Sequence, residues 1–220
     1  MNEKEILSHV DHTILKPVAT YEAIRELCTD AVEYDTASVC IPACYVKRVR
    51  DEFKDSINIC TVVGFPLGYE TTEGKLADTL QCLEDGADEI DMVINVTDVK
   101  NGDFDKVTEE IETIKKACGN HILKVIVETC YLTKDEKIKI CKCVTKAGAD
   151  YIKTSTGFGT DGARIEDIKL FKEHIGTNVK IKAAGGIRTL EAAVNFIEAG
   201  CDRIGTSNIV AAVKELENGR

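Results

Sequence analysis

Short β-branched runs alternate along this chain with longer amphipathic stretches, regularly enough to be counted. Residues 36–41 (TASVCI), 58–65 (NICTVVGF), 122–129 (ILKVIVET) and 179–186 (VKIKAAGG) read as strands, since β-branched residues bounded by turn signals suit a pleated, half-buried surface. Apolar residues at helical spacing predict helices over Tyr21–Tyr34, Thr72–Asp85, Phe104–Cys118, Lys134–Ala147, Ile165–His174 and Leu190–Ala199. Three junctions repeat one another: DGADEIDMV (85–93), KAGADYIKTS (146–155) and EAGCDRIGTS (198–207). Each is an amphipathic run closing on glycine, then a small residue, Asp, and a strand containing Ile. This is the signature of a helix ended by a C′ glycine whose chain turns at once into a parallel strand. A weaker first strand over 8–15 (SHVDHTIL) completes eight strand–helix units. The expected fold is α/β, a (β/α)8 TIM barrel formed by residues 1–220 as a single domain; about 250 residues is typical of such barrels and about 200 the lower end. A doubly wound open sheet is the alternative that this pattern leaves open.

Strand parity then sorts side chains between the helix-facing and inward faces. In strand 6, Tyr151, Lys153 and Ser155 share one face, and Ile152 and Thr154 the other. In strand 7, the apolar set Val179, Ile181 and Ala183 suits helix packing, which turns Lys180, Lys182 and Ala184 inward. In strand 4, Ile90, Met92 and Ile94 face helices, so Glu89, Asp91, Val93 and Asn95 face inward; strand 5 adds Lys124 and Glu128. Lysine is almost never fully buried unless paired, so an interior holding Lys153, Lys182 and Asp91 calls for either an ion-pair network or chemistry.

Composition narrows the choice. With 44% hydrophobic and 30% charged residues the chain can build a real core, and its net charge of −10 opposes nucleic-acid binding. No apolar run is long enough to span a membrane, and the N-terminus MNEKEILSHVDH lacks a signal-peptide core; a cytoplasmic protein is expected. The ten cysteines are scattered over expected helices and strands, with no zinc-site spacing, and read as reduced thiols. His9, His12, His121 and His174 are too dispersed for a metal-dependent aldolase, and no nucleophile-elbow or dinucleotide fingerprint occurs. No metal and no cofactor are expected.

Two lysines on neighbouring strands, with a carboxylate opposite, point to amine chemistry. Desolvation and a nearby cation both favour a neutral amine, which attacks carbonyls to form a Schiff base. Barrel function sits at the C-terminal ends of the strands, and phosphate is often held by the loops after strands 7 and 8. Here those loops are Ala184-Gly185-Gly186-Ile187-Arg188 and Gly205-Thr206-Ser207-Asn208, and both lead into helix N-termini. A phosphate-binding barrel isomerase and a sugar-phosphate-binding scaffold with structural lysines stay open as alternatives on these residues alone.

Over essentially its whole length the sequence resembles the deoxyribose-phosphate aldolase family, through DHTILK (11–16), SVCIPACYV (38–46), VVGFPLG (62–68), GADEIDMVINV (86–96), KVIVET (124–129), YIKTSTGF (151–158), IKAAGGIRT (181–189) and RIGTSN (203–208). The resemblance implies a metal-independent class I aldolase that reversibly cleaves 2-deoxy-D-ribose 5-phosphate to D-glyceraldehyde 3-phosphate and acetaldehyde. It implies Lys153 as Schiff-base nucleophile, Lys182 as the cation that lowers its pKa and relays protons, and Asp91 as general acid/base. Phosphate would rest on Gly157, Gly185, Gly186, Gly205 and Ser207, with Asp11 and Thr13 near the substrate. Two departures stand out: Phe158 occupies a position where some members carry a lysine, throwing the load onto backbone amides and Arg188, and the sequence ends ELENGR without the terminal Tyr that some members carry. Cys40, at the end of strand 2, is either an aldehyde-sensitive thiol or an inert packed one. Small-molecule sugar phosphate and aldehyde are the expected partners, together with a second copy of the chain in a homodimer.

Overall fold

The structure is a computed structural model that describes residues 1–219. Eight parallel strands close into a barrel in sequence order, each pairing with its neighbours and β1 pairing with β8. The strands are β1 (Val10–Thr13), β2 (Ser38–Ile41), β3 (Ile59–Val63), β4 (Glu89–Val93), β5 (Ile122–Ile126), β6 (Tyr151–Lys153), β7 (Lys180–Ala184) and β8 (Arg203–Thr206). Around them run α1 (Glu3–Leu7), α2 (Tyr21–Glu33), α3 (Val46–Phe53), α4 (Thr72–Glu84), α5 (Val96–Asn101), α6 (Phe104–Cys118), α7 (Lys134–Lys146), α8 (Ile165–His174), α9 (Leu190–Ala199) and α10 (Ile209–Asn218). The expected barrel is therefore the observed one, and the open sheet is set aside.

Local chemistry accounts for the element boundaries. Thr20, Thr71, Thr133 and Thr189 each accept a backbone N–H at the start of α2, α4, α7 and α9, and Thr133 closes a capping box with Glu136. Gly200 ends α9 in the left-handed conformation. Immediately afterwards Asp202 accepts the Ile181 N–H at 2.9 Å, as Asp88 does for Ile59 at 2.7 Å and Asp150 for Leu123 at 2.8 Å. The Asp of the repeated junction thus stitches each new strand to the one before it.

The greasy core lies outside the barrel wall. Ile90, Met92, Leu123, Val125, Ile152, Ile181, Ala183 and Ile204 are buried in a single apolar cluster with residues of the surrounding helices. The barrel interior is instead polar: Asp11, Ser38, Glu89, Asp91, Lys124, Lys153 and Lys182 are all buried. Parity correctly separates these two faces, with three exceptions at strand ends, one of them Glu128, which lies beyond β5 in a left-handed conformation. Lys180, expected inside, is exposed at the start of β7 with its Nζ 5.7 Å from the centre of the Tyr151 ring; at the rim its flexible stem carries the charge out to water. Asn95, expected on β4, lies beyond the strand and caps α5, its side chain accepting the Thr97 N–H at 3.0 Å.

Candidate active site

Register places the candidate groups side by side: Lys153 is the Cα partner of Lys182, and Asp91 of Lys124. Inward parity brings the four to one centre. Lys153 and Lys182 both donate to Asp91 Oδ2 at 2.7 Å, and Lys124 donates to Asp91 Oδ1 at 2.9 Å. Lys182 also bonds Asp11, and Lys124 bonds Glu89 and lies 3.7 Å from Asp11. Beneath them Arg203 donates to Asp11 at 2.5 Å and approaches Glu89 at 3.3 Å. Ser38 completes the shell of Asp11 with a hydrogen bond of 2.8 Å.

Burying so many charges is tolerable only because they compensate one another. Burial alone would push the Asp91 carboxyl up, yet Lys124, Lys153 and Lys182 hold it well below the usual carboxylate range. Asp11 is likewise held low against burial by Lys182, Lys124 and Arg203. Burial would lower the Lys182 ammonium, but Asp11 and Asp91 hold it above its ordinary value. The carboxylates Asp11, Glu89 and Asp91 face four cations, Lys124, Lys153, Lys182 and Arg203. One cation is in excess, and Lys153 is the least committed: its single carboxylate partner is an oxygen it shares with Lys182.

Above this network opens a cavity of about 950 Å³ at the C-terminal ends of the strands, lined by Lys153, Thr13, Gly157, Gly185, Gly186, Gly205 and Ser207. Those candidate residues meet in one place. Asp91, Lys182 and Asp11 do not line the cavity; they form its fully buried underside. Gly205 makes the two layers compatible, since a Cβ there would lie 3.2 Å from Lys182 Cε and 3.0 Å from Ala184 Cβ. Phe158 also lines the cavity, packed edge-on against Phe65 at 5.4 Å, and the exposed cations on that wall are Lys16 and Arg188. Cys40 is completely buried beside Cys60, whose hydrogen bond lowers the Cys40 thiol against the effect of burial. Cys40, Cys60 and Asp91 come within 4.8 Å of one another, a spacing a metal accepts. Lys124, 3.3 Å from Cys60 Sγ and 2.9 Å from Asp91, already supplies positive charge there.

Parity of β8 identifies a partner that reasoning from β4 to β7 missed: Arg203 lies two residues before inward Gly205 and therefore points into the barrel. The same argument on β3 finds Cys60. Lys16 carries no such signal, because it sits on the loop after β1.

Fold and site together define a barrel enzyme with a lysine–carboxylate centre under an open cavity. The chain belongs to the DeoC/LacD family of aldolases, whose model matches residues 6–208; it is a carbon–carbon lyase. A deoxyribose-phosphate aldolase of Clostridium botulinum (strain Alaska E43 / Type E3) is 66% identical over 217 residues, covering 99% of this chain and 98% of that protein. The deoxyribose-phosphate aldolase of Clostridioides difficile (strain 630) is 58% identical over 211 residues, 96% of each chain. Among solved structures, the aldolase QR15 superposes with a TM-score of 0.92 at 37% identity, over 97% of this chain and 96% of that one. A deoxyribose phosphate aldolase from Aeropyrum pernix, described as having a unique tetrameric structure, gives a TM-score of 0.91 at 29% identity, over 100% of this chain and 94% of that one.

Proposed function

We propose that this aldolase reversibly cleaves 2-deoxy-D-ribose 5-phosphate to D-glyceraldehyde 3-phosphate and acetaldehyde through a Schiff base on Lys153. The observation that carries the reading is that Lys153, alone among the three interior lysines, lines the cavity, and it has one shared carboxylate oxygen as ion-pair partner. The relatives' names supply the substrate.

The amine of Lys153 attacks C1 of the open-chain sugar, and loss of water gives the protonated imine. A proton leaves the C3 hydroxyl, the C2–C3 bond breaks, and its electrons flow into the imine to leave an enamine on Lys153. D-Glyceraldehyde 3-phosphate departs, C2 of the enamine takes up a proton, and water releases acetaldehyde. Lys182, held charged by two carboxylates, serves as the fixed cation beside the nucleophile. Its saturation makes it a poor proton relay. Asp91 is suited to proton traffic because the positive charge of Lys153 is among those that hold it ionised. When the imine collapses to neutral enamine that charge vanishes, and Asp91 becomes more basic as the C3 proton must be accepted, directly or through a water.

Phosphate fits the far wall, where Gly157, Gly185, Gly186, Gly205 and Ser207 converge and α10 starts just behind Asn208. Backbone amides and a helix N-terminus favour an anion there, with Arg188 and Lys16 as the nearby cations in place of a lysine at 158. Borohydride with acetaldehyde or the sugar phosphate should fix a fragment to Lys153, read by peptide mapping, and cleavage should persist in EDTA. A label elsewhere, or activity lost to EDTA, would reject the mechanism.

A further inference from the structure

One buried carboxylate at the mouth takes no part in the ion network. Glu128 follows β5, is 2% exposed, and pairs with no Lys or Arg among the described residues. Its backbone is left-handed, φ 50° and ψ 70°, a conformation that side-chain-bearing residues seldom adopt and that persists only where its surroundings demand it. The neighbours on either side are locked: Val127 N–H donates to Lys153 O at 3.0 Å and Thr129 N–H to Thr154 O at 2.9 Å. Between these bonds the side chain of Glu128 reaches over the exit of β6. Its Oε2 accepts the Thr156 N–H at 3.2 Å and the Thr156 hydroxyl, and that hydroxyl oxygen accepts the Phe158 N–H at 3.0 Å. Gly159 then returns directly against the carboxylate, where a Cβ would sit 2.8 Å from Cys130 Sγ and 3.0 Å from Glu128 Cδ.

We propose that Glu128 is a positioning residue that fixes the Thr156-Gly157-Phe158 loop as the phosphate-side wall of the cavity, and so sets the preference for phosphorylated substrate; this rests on the phosphate reading given above. Thr156, Gly157 and Phe158 all line the 950 Å³ cavity, whereas Glu128 lines a neighbouring one of about 490 Å³ behind Thr156 and Phe158. The carboxylate therefore shapes the loop from behind. A carboxylate suits the task because one oxygen accepts both an N–H and an O–H without needing a donor in return.

The test compares kcat and KM on 2-deoxyribose 5-phosphate and on 2-deoxyribose, with borohydride trapping of acetaldehyde as a third readout. Glu128→Ala removes both hydrogen bonds and should raise KM for the phosphorylated sugar about tenfold, leaving its kcat and the trapping rate within about twofold. KM for the unphosphorylated sugar should not move. Glu128→Gln keeps an acceptor oxygen and should stay within about threefold of the native KM. Gly159→Ala keeps the carboxylate but presses a methyl against it and against Cys130, which displaces the loop; it should erode the preference in the same direction, so it decides the matter if Glu128→Ala does not fold. Equal losses on both sugars, slower trapping, or an unchanged preference in a folded Gly159→Ala would overturn the positioning role. A native enzyme with no preference for the phosphorylated sugar would instead sink the phosphate reading, and this role with it.

Discussion

The floor and the mouth of the barrel hold lysines of nearly equal burial and opposite situation. At the floor, Lys124 is fully buried and surrounded by Asp91, Glu89 and Asp11, with Arg203 locked to Asp11 and Glu89 beside it. At the mouth, Lys153 is 3% exposed and has only the Asp91 oxygen that Lys182 also claims. Burial alone therefore does not distinguish a structural lysine from a reactive one. Saturation of charge does on the proposed reading: a cation with several carboxylates is committed to its place, while Lys153 shares a single carboxylate oxygen and faces the cavity.

The largest effect that can break this comparison is at the mouth. Lys153→Arg keeps a cation for Asp91 but cannot form an imine, since guanidinium is not deprotonated in proteins. Activity should fall by about 10⁴-fold or more, of the order lost when a covalent nucleophile is removed, with borohydride labelling abolished and the unfolding midpoint little changed. Retained labelling would place the nucleophile elsewhere. At the floor the pattern should invert. Lys124→Met takes a shared cation from Asp91 and Asp11 and leaves Glu89 with Arg203 alone; it should cost about 3–5 kcal/mol of stability, read as a lower urea midpoint. A loss below about 1 kcal/mol would mean that the floor is not held by this lysine.

Acid offers a way to sharpen the contrast without touching either region. Asp11 and Asp91 are depressed in the folded state, so their contribution is present above the unfolded value of 3.8 and is lost only as pH falls below it toward their folded values. His12 behaves differently. Facing the helices from β1, it is buried with its Nδ1 unpartnered, and burial lowers it from 6.5 to about 4 despite the opposing pull of Asp30. Asp30 is itself paired to Lys214 at 2.5 Å, and Lys214 pushes His12 the same way as burial. The unfolded chain takes up a proton below 6.5 that the folded chain refuses until about 4, so stability should fall by about 3 kcal/mol across that window. Urea midpoints at pH 7 and pH 4.5 should show the loss, and His12→Gln should flatten it. A slope that persists in the variant would move the acid sensitivity to the floor.

Much of this arrangement is legible in the sequence because it is built from local rules. The glycine–small–Asp junctions announce parallel strands, and the helix limits follow from Thr caps and apolar spacing, so that α6, α8 and α9 end where expected and α2, α4 and α7 stop one residue short. Period-two parity then delivers Asp91, Lys153 and Lys182 to one interior. What was not legible depends on close approach between distant segments. Lys75 reads as a polar position of α4, yet it is fully buried, donating to Val93 O and Glu110 at 2.8 Å. Its stem runs under Gly64, where a Cβ would lie 2.8 Å from Lys75 Cε; no spacing in α4 records that gap. The division of the candidate residues into cavity wall and buried underside is illegible for the same reason, since parity gives direction but not depth along the barrel axis.

The smallest expected effect tests whether the mouth is as uncommitted structurally as the floor is committed. Ser207 is exposed on the cavity wall, and its hydroxyl donates to the side chain of its neighbour Asn208 at 2.5 Å. Removing it strands no buried group, so Ser207→Ala should leave the urea midpoint within about 0.5 kcal/mol of the native value, as for exposed positions generally. If the hydroxyl turns to a phosphate oxygen when substrate arrives, its loss removes one charge-assisted hydrogen bond, about 1.5 kcal/mol, or roughly tenfold in KM for the phosphorylated sugar. Because the bond is made equally in the ground state and the transition state, kcat should hold. The unphosphorylated sugar, which has no phosphate to offer that hydroxyl, should react as before. A fall in stability with no change in KM would reverse the assignment, making Ser207 part of the scaffold and leaving the glycine loops and the start of α10 to grip the anion without it.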